Sequence, residues 1–146
     1  MDYNKGGFTL IEAVISIVVI VAIGIALLLY FLPRKSVSEA RNTERSAEIN
    51  DILRAVLQYR DDHGGALPES INDSNKEICR SSGEACAGLI DLSVLVQNNY
   101  LLAIPTDPEY AGDNGSGYEI KKDATGRVYV SAPKSEEGVT ISVTRQ

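Results

Sequence analysis

The sequence predicts an α+β protein: one long N-terminal α-helix packed on a small C-terminal antiparallel sheet of about three strands. Three observations predict it. Residues 8–32 are an apolar run with a single charge, Glu12. From Val37 to Tyr59 the apolar residues recur at helical spacing. Beyond residue 117, short segments alternate apolar and polar residues and are separated by turn formers.

The apolar run comes first. As a helix, residues 8–32 would be about 37 Å long, more than the hydrocarbon core of a bilayer at about 30 Å. A cleaved secretory signal has a shorter apolar core followed by a small-x-small site. Here the run ends in Leu-Leu-Leu-Tyr-Phe-Leu-Pro, so an anchor is the better reading. Gly24 weakens the helix locally, and Pro33 should kink or interrupt it. Lys5 precedes the run, while Arg34 and Lys35 follow it. The positive-inside rule taken alone places the C-terminal side in the cytoplasm.

Ser36-Val37-Ser38-Glu39 has the form of a capping box, so a helix starts or resumes there. Ala40, Ala47, Ile49, Ile52, Leu53, Val56, Leu57 and Tyr59 form its apolar stripe. Arg41, Glu44, Arg45, Glu48, Asp51, Arg54 and Asp61 form the polar face, with Glu44–Glu48 and Asp51–Arg54 as ordinary surface neighbours. Gly64-Gly65 stops the helix and Pro68 follows the exit.

Residues 66–88 read as a loop, and residues 89–96 as a short helix ending near Asn98-Asn99. Residues 118–122 and 127–132 form a hairpin through Asp123-Ala124-Thr125-Gly126, and residues 139–144 add a third strand. The inner face carries Tyr118, Ile120, Val128, Val130 and Ile141, or their alternates, lying on the Ile49–Tyr59 stripe; a groove for a protein partner is the alternative use of that stripe.

From residue 36 onward there are 18 acidic and 11 basic side chains, a net charge of −7. That balance opposes a nucleic-acid surface, which needs cations against phosphate, and suits a solvated outer face. Cys79 and Cys86 enclose a short loop. If the domain is exported, a disulfide is the first reading; free thiols and a metal site are the alternatives. The metal is disfavoured by a lone histidine, His63, and the absence of a CxxC pair. No catalytic constellation is visible: there is no Gly-x-Ser-x-Gly, phosphate loop or HExxH. His63, beside the glycine pair, reads as a cap or surface residue.

Lys5-Gly6-Gly7-Phe8-Thr9-Leu10-Ile11-Glu12, followed at once by the apolar helix, resembles the prepilin processing motif of bacterial type IV pilins and type II secretion pseudopilins. The resemblance implies a leader at residues 1–7, a membrane or filament-core helix at 8–35 and a globular head at 36–146. A membrane aspartyl peptidase would cut after Gly7 on the cytoplasmic side, with Gly6 extending the accessible peptide, and methylate the new amino group of Phe8. This opposes the orientation that the flanking charges suggest. Glu12 of one subunit would pair with the Phe8 amine of a neighbour and set the axial register of a filament, because a slip would leave both charges unpaired. In related filaments the segment between Gly24 and Pro33 is often loosened.

The order of short helix, Tyr100-Leu101, Ile104-Pro105 and Asp107-Pro108 also resembles the region before the sheet in many pilins. Some pseudopilins bind calcium near there. Asp107, Glu109, Asp113 and Asn114 supply oxygen ligands of the kind calcium takes, although the spacing is not an EF-hand and these are ordinary turn formers. No other cofactor is expected.

The family implies a structural, non-enzymatic subunit. Its partners would be copies of itself, the peptidase/methyltransferase, an inner-membrane assembly platform and, before assembly, the membrane. It would end in an extracellular pilus or, as a pseudopilin, a periplasmic filament. A monomeric membrane-anchored binding domain is the reading from outside that class.

Overall fold

The computed structural model describes residues 9–81, 83–109 and 112–146, and the side chains of these except residues 31–36, 83 and 84. The chain divides between Val37 and Ser38 into two compact units.

The elements in order are helix α1 (Leu10–Asp62), strand β1 (Lys76–Cys79), a 3-10 turn (Gly83–Cys86), strand β2 (Ile90–Asp91), helix α2 (Ser93–Gln97) and strands β3 (Gly115–Lys122), β4 (Val128–Ala132) and β5 (Ile141–Arg145). The architecture is α+β, as expected, but the sheet has five strands in the order β2-β1-β3-β4-β5. It is mixed: β1 and β2 run parallel, and the other pairs are antiparallel.

In the N-terminal unit, Leu10–Tyr30 is long and apolar enough to cross a membrane, with a mean hydropathy of 3.0. Its large side chains are exposed throughout, Leu10 at 83%. A membrane anchor or a signal sequence accounts for such a segment. The helix assignment continues through Gly24 and Pro33, so neither interrupts it in the single chain. The capping-box pattern at residues 36–39 likewise marks no helix start: the chain is already helical there, and Ser38 is buried with its hydroxyl donating to Glu137 at 3.1 Å.

In the C-terminal unit, α1 buries Ile49, Ile52, Leu53, Ala55 and Val56 against the sheet. Ala40 and Ala47, expected in the stripe, are exposed. The helix stops as the glycine pair predicts. Gly64 and Gly65 have φ of +63° and +96°, and the Gly65 N–H returns to the Arg60 carbonyl at 2.8 Å, closing the last turn.

The inner face of the sheet holds Tyr118, Ile120, Val128, Val130 and Ile141, all buried. The β3–β4 hairpin turns through Asp123, whose Oδ1 accepts from the N–H groups of Thr125 (2.9 Å) and Arg127 (3.0 Å). Those donors, led by the Thr125 hydroxyl at 2.6 Å, hold the carboxyl down at about 2.

Part of the expected loop 66–88 and the start of the expected helix 89–96 are strands. Lys76–Cys79 lies between β2 and β3, and Ile90 pairs with Ile78. The short helix therefore starts later than predicted, at Ser93, whose N–H donates to Asp91 Oδ1 at 2.8 Å. Alternation is hard to see in β1 because the strand is four residues long with one bulge, and β2 is two residues long. Pairing with distant neighbours holds both, not local preference.

Candidate functional site

Two places carry the chemistry. The first is the start of α1. Thr9 caps it: the Glu12 N–H donates to Thr9 Oγ1 at 3.3 Å and to the Thr9 carbonyl at 3.1 Å, and the Ala13 N–H reaches the same carbonyl at 3.1 Å. Glu12 therefore stands in the first helical turn, exposed. A carboxylate there faces the positive end of the helix dipole, which offsets part of the cost of an acid in an apolar segment. Thr9 is the residue that sequence reasoning passed over, although Thr-x-x-Glu is itself a capping-box pattern. Gly6, Gly7 and Phe8, the expected processing residues, lie outside the described residues.

The second is a polar cluster inside the C-terminal unit. Arg45, expected on the solvent face of α1, is completely buried. Its Nε donates to Asp107 Oδ2 at 2.7 Å and its Nη2 to Asp107 Oδ1 at 3.0 Å. Its Nη1 donates to Glu136 at 2.9 Å and to Asn42 at 3.1 Å. Arg41 pairs with the same Glu136. Asn42 closes the ring, donating to the Glu136 carbonyl at 3.0 Å and accepting from the Glu136 N–H at 3.0 Å. One helix face thus clamps the 107–109 loop and the 133–139 loop together.

The charges follow from this geometry. Hydrogen bonds to Asp107 raise the Arg45 guanidinium above its ordinary value and outweigh its burial. Arg41, then Arg45, hold the Glu136 carboxyl at about 2. Glu48, expected as an ordinary surface neighbour, is half-buried and accepts from the buried Tyr118 hydroxyl. Desolvation pushes the Glu48 carboxyl up, and the Tyr118 hydrogen bond partly opposes it. Asp51–Arg54 is an exposed pair.

Arg45 was legible from spacing. Ser38, Arg45, Ile49, Ile52 and Val56 are separated by steps of seven, four, three and four, the intervals of one helix face. A charged residue on that face calls for a buried partner.

Cys79 and Cys86 form a disulfide with a Cα–Cα distance of 5.4 Å, tying the end of β1 to the 3-10 turn. Both are buried. Of the calcium candidates, Asp107 has both carboxylate oxygens on Arg45, and its Oδ1 also accepts from the Glu109 N–H at 3.0 Å. The Asp113 and Asn114 carbonyls accept from Arg80, at 2.7 and 2.9 Å. Among the described residues, no group of three or more His, Cys, Asp or Glu is placed to hold a metal ion. His63 stacks on Tyr59 at 3.9 Å and its Nδ1 lies 2.7 Å from the Tyr59 carbonyl, at the end of α1.

Comparison with protein-family models, with curated proteins and with solved structures finds no match to this chain.

Proposed function

We propose that the protein is a filament subunit of the type IV pilin class, made as a membrane-inserted precursor and assembled into a pilus or a related secretion pseudopilus. The observation that carries the reading is Glu12: it stands in the first turn of α1, four residues after Phe8, and is the one charged residue of the apolar segment Leu10–Tyr30. A carboxylate in that setting needs a positive partner, and cleavage after Gly7 would create one in the Phe8 amine. The exposed apolar surface of Leu10–Tyr30 suits lipid before assembly and other copies of the same helix afterwards. The disulfide in the C-terminal unit is in keeping with export to an oxidising compartment.

On this reading the chain is the substrate of a prepilin peptidase and methyltransferase, not a catalyst. An inner-membrane platform adds it to the growing filament. The acidic head does not itself bind nucleic acid.

Intact mass and N-terminal peptide mapping of filaments sheared from the cell surface, and of the membrane fraction, test the proposal. A chain beginning at methylated Phe8 is expected. A chain beginning at Met1 and found only in the membrane fraction of cells with an active prepilin peptidase overturns it in favour of an anchored monomer.

A further inference from the structure

An open depression of about 240 Å³ lies beside α2, lined by Arg80, Ser81, Ser93, Val96, Leu102 and Ile104. Arg80 is held at both ends: its Nη2 donates to the Asp113 carbonyl at 2.7 Å, and its backbone N–H to the Asn114 carbonyl at 2.9 Å. Among the described residues Arg80 has no carboxylate partner, unlike Arg41, Arg45, Arg54 and Arg60. The hydroxyls of Ser81 and Ser93 make no side-chain hydrogen bond among those residues either. In the same lining Leu102 is fully exposed, at 102%, although Ile104 nearby is buried. A cation held by a backbone carbonyl, two serines and an uncovered aliphatic side chain therefore line one small, open space.

We propose that this cavity binds a carboxylate carried on a short aliphatic body, such as an N-acylated aliphatic amino acid, free or at the end of a chain. The guanidinium presents a planar fork that matches a carboxylate, and the serine hydroxyls can donate to the same group. Covering Leu102 and Val96 removes apolar surface from water and selects an aliphatic body over a bare anion. The volume lies below the roughly 300–1,000 Å³ of sites for drug-sized ligands, so the ligand is small. A formal net charge of −6 on the whole chain opposes a multiply charged anion such as phosphate. The site lies wholly in the C-terminal unit and stands whether the chain assembles or remains an anchored monomer.

The test is a titration of the ¹⁵N-labelled full chain in detergent micelles with N-acetyl-leucine, followed by amide chemical shifts. Saturable shifts at residues 80–81, 93 and 102–104 are expected at millimolar ligand. They should vanish with N-acetyl-leucine amide and in Arg80→Gln, weaken several-fold in Arg80→Lys, and weaken in Leu102→Ser. Arg80 is exposed, so its variants should keep the native spectrum elsewhere. Tighter binding of a pentapeptide ending in leucine assigns a chain end as the ligand, and equal binding assigns the free acid; both support the site. No saturable shift, equal shifts with the amide or with inorganic phosphate, or unchanged binding in Arg80→Gln overturns the proposal.

Discussion

The guanidinium of Arg45 meets the carboxylate of Asp107 edge to edge, Nε to Oδ2 at 2.7 Å and Nη2 to Oδ1 at 3.0 Å, with both side chains fully excluded from solvent. The two residues are 62 positions apart in sequence, so the pair ties the C-terminal half of α1 to the loop before β3. A buried bidentate pair costs desolvation on both sides, and removing one partner strands the other.

Asp107→Ala should therefore destabilise the C-terminal unit by about 3–5 kcal/mol, while Arg45→Met with Asp107→Leu should cost much less. Urea unfolding followed by circular dichroism checks both. Equal losses in the single and double variants would mean that packing, not charge, dominates at this site.

Glu136 sets an acid limit. Its carboxyl is lowered from an ordinary value of 4.5 to about 2 by Arg41 and Arg45. A lowered folded-state value means the unfolded chain binds the proton first. The contribution is thus present above pH 4.5 and lost as the pH falls toward 2. Thermal midpoints measured across that window should drop more steeply in the parent than in Glu136→Gln, which lacks the titrating group.

The disulfide closes a loop with a sequence separation of 7. On the loop-entropy model, Cys79→Ala with Cys86→Ala should lose about 2–3 kcal/mol. Amide exchange should quicken first in residues 83–91, because β2 pairs only with β1 beyond that loop. Uniform quickening across the sheet would contradict this local role.

Gly115 and Glu77 are a coupled pair. A Cβ at position 115 would fall on the Glu77 carboxylate, which accepts from the Gly117 N–H at 2.8 Å. Gly115→Ala must displace that side chain and should cost about 1.5–3 kcal/mol, the loss of a hydrogen bond to a charged acceptor. In a Glu77→Ala background the same substitution should be close to neutral. A double-mutant cycle with no coupling energy would refute the contact.

Under the filament reading, Glu12→Ala should insert in the membrane but assemble poorly with unsubstituted neighbours, and normal filament yield would remove the register role. Gly7→Leu should block processing. Immunoblots of sheared and membrane fractions read both, and a mature-size band from Gly7→Leu would move the cleavage site elsewhere.

Much of the architecture was legible because it is written in local periodicity. The apolar run, the second half of α1 with its Gly64-Gly65 stop, and the β3–β4 hairpin each follow from spacing within a few residues. What escaped was non-local. Lys76–Cys79 becomes a strand because β2 and β3 flank it, and its four residues show too little alternation to announce that. Arg45 was assigned to solvent by residue type, although its spacing from Ile49 and Ile52 puts it on the buried face. Ala47 was assigned to the core by residue type and is exposed. In both cases position on the helix outweighs chemistry, and for Arg45 the partner that makes burial tolerable, Asp107, lies in a distant loop.

The two-residue strand β2 has a consequence for crowding. It is the outermost strand on its side and covers β1, whose Ile78 and Cys79 are buried. A long flat strand at that margin would offer unpaired backbone groups to other chains and template sheet-to-sheet aggregation. Two residues offer almost no ladder, and the opposite margin, β5, carries exposed Ser142, Thr144 and Arg145. Brevity on one side and polarity on the other let the domain be concentrated without its sheets fusing.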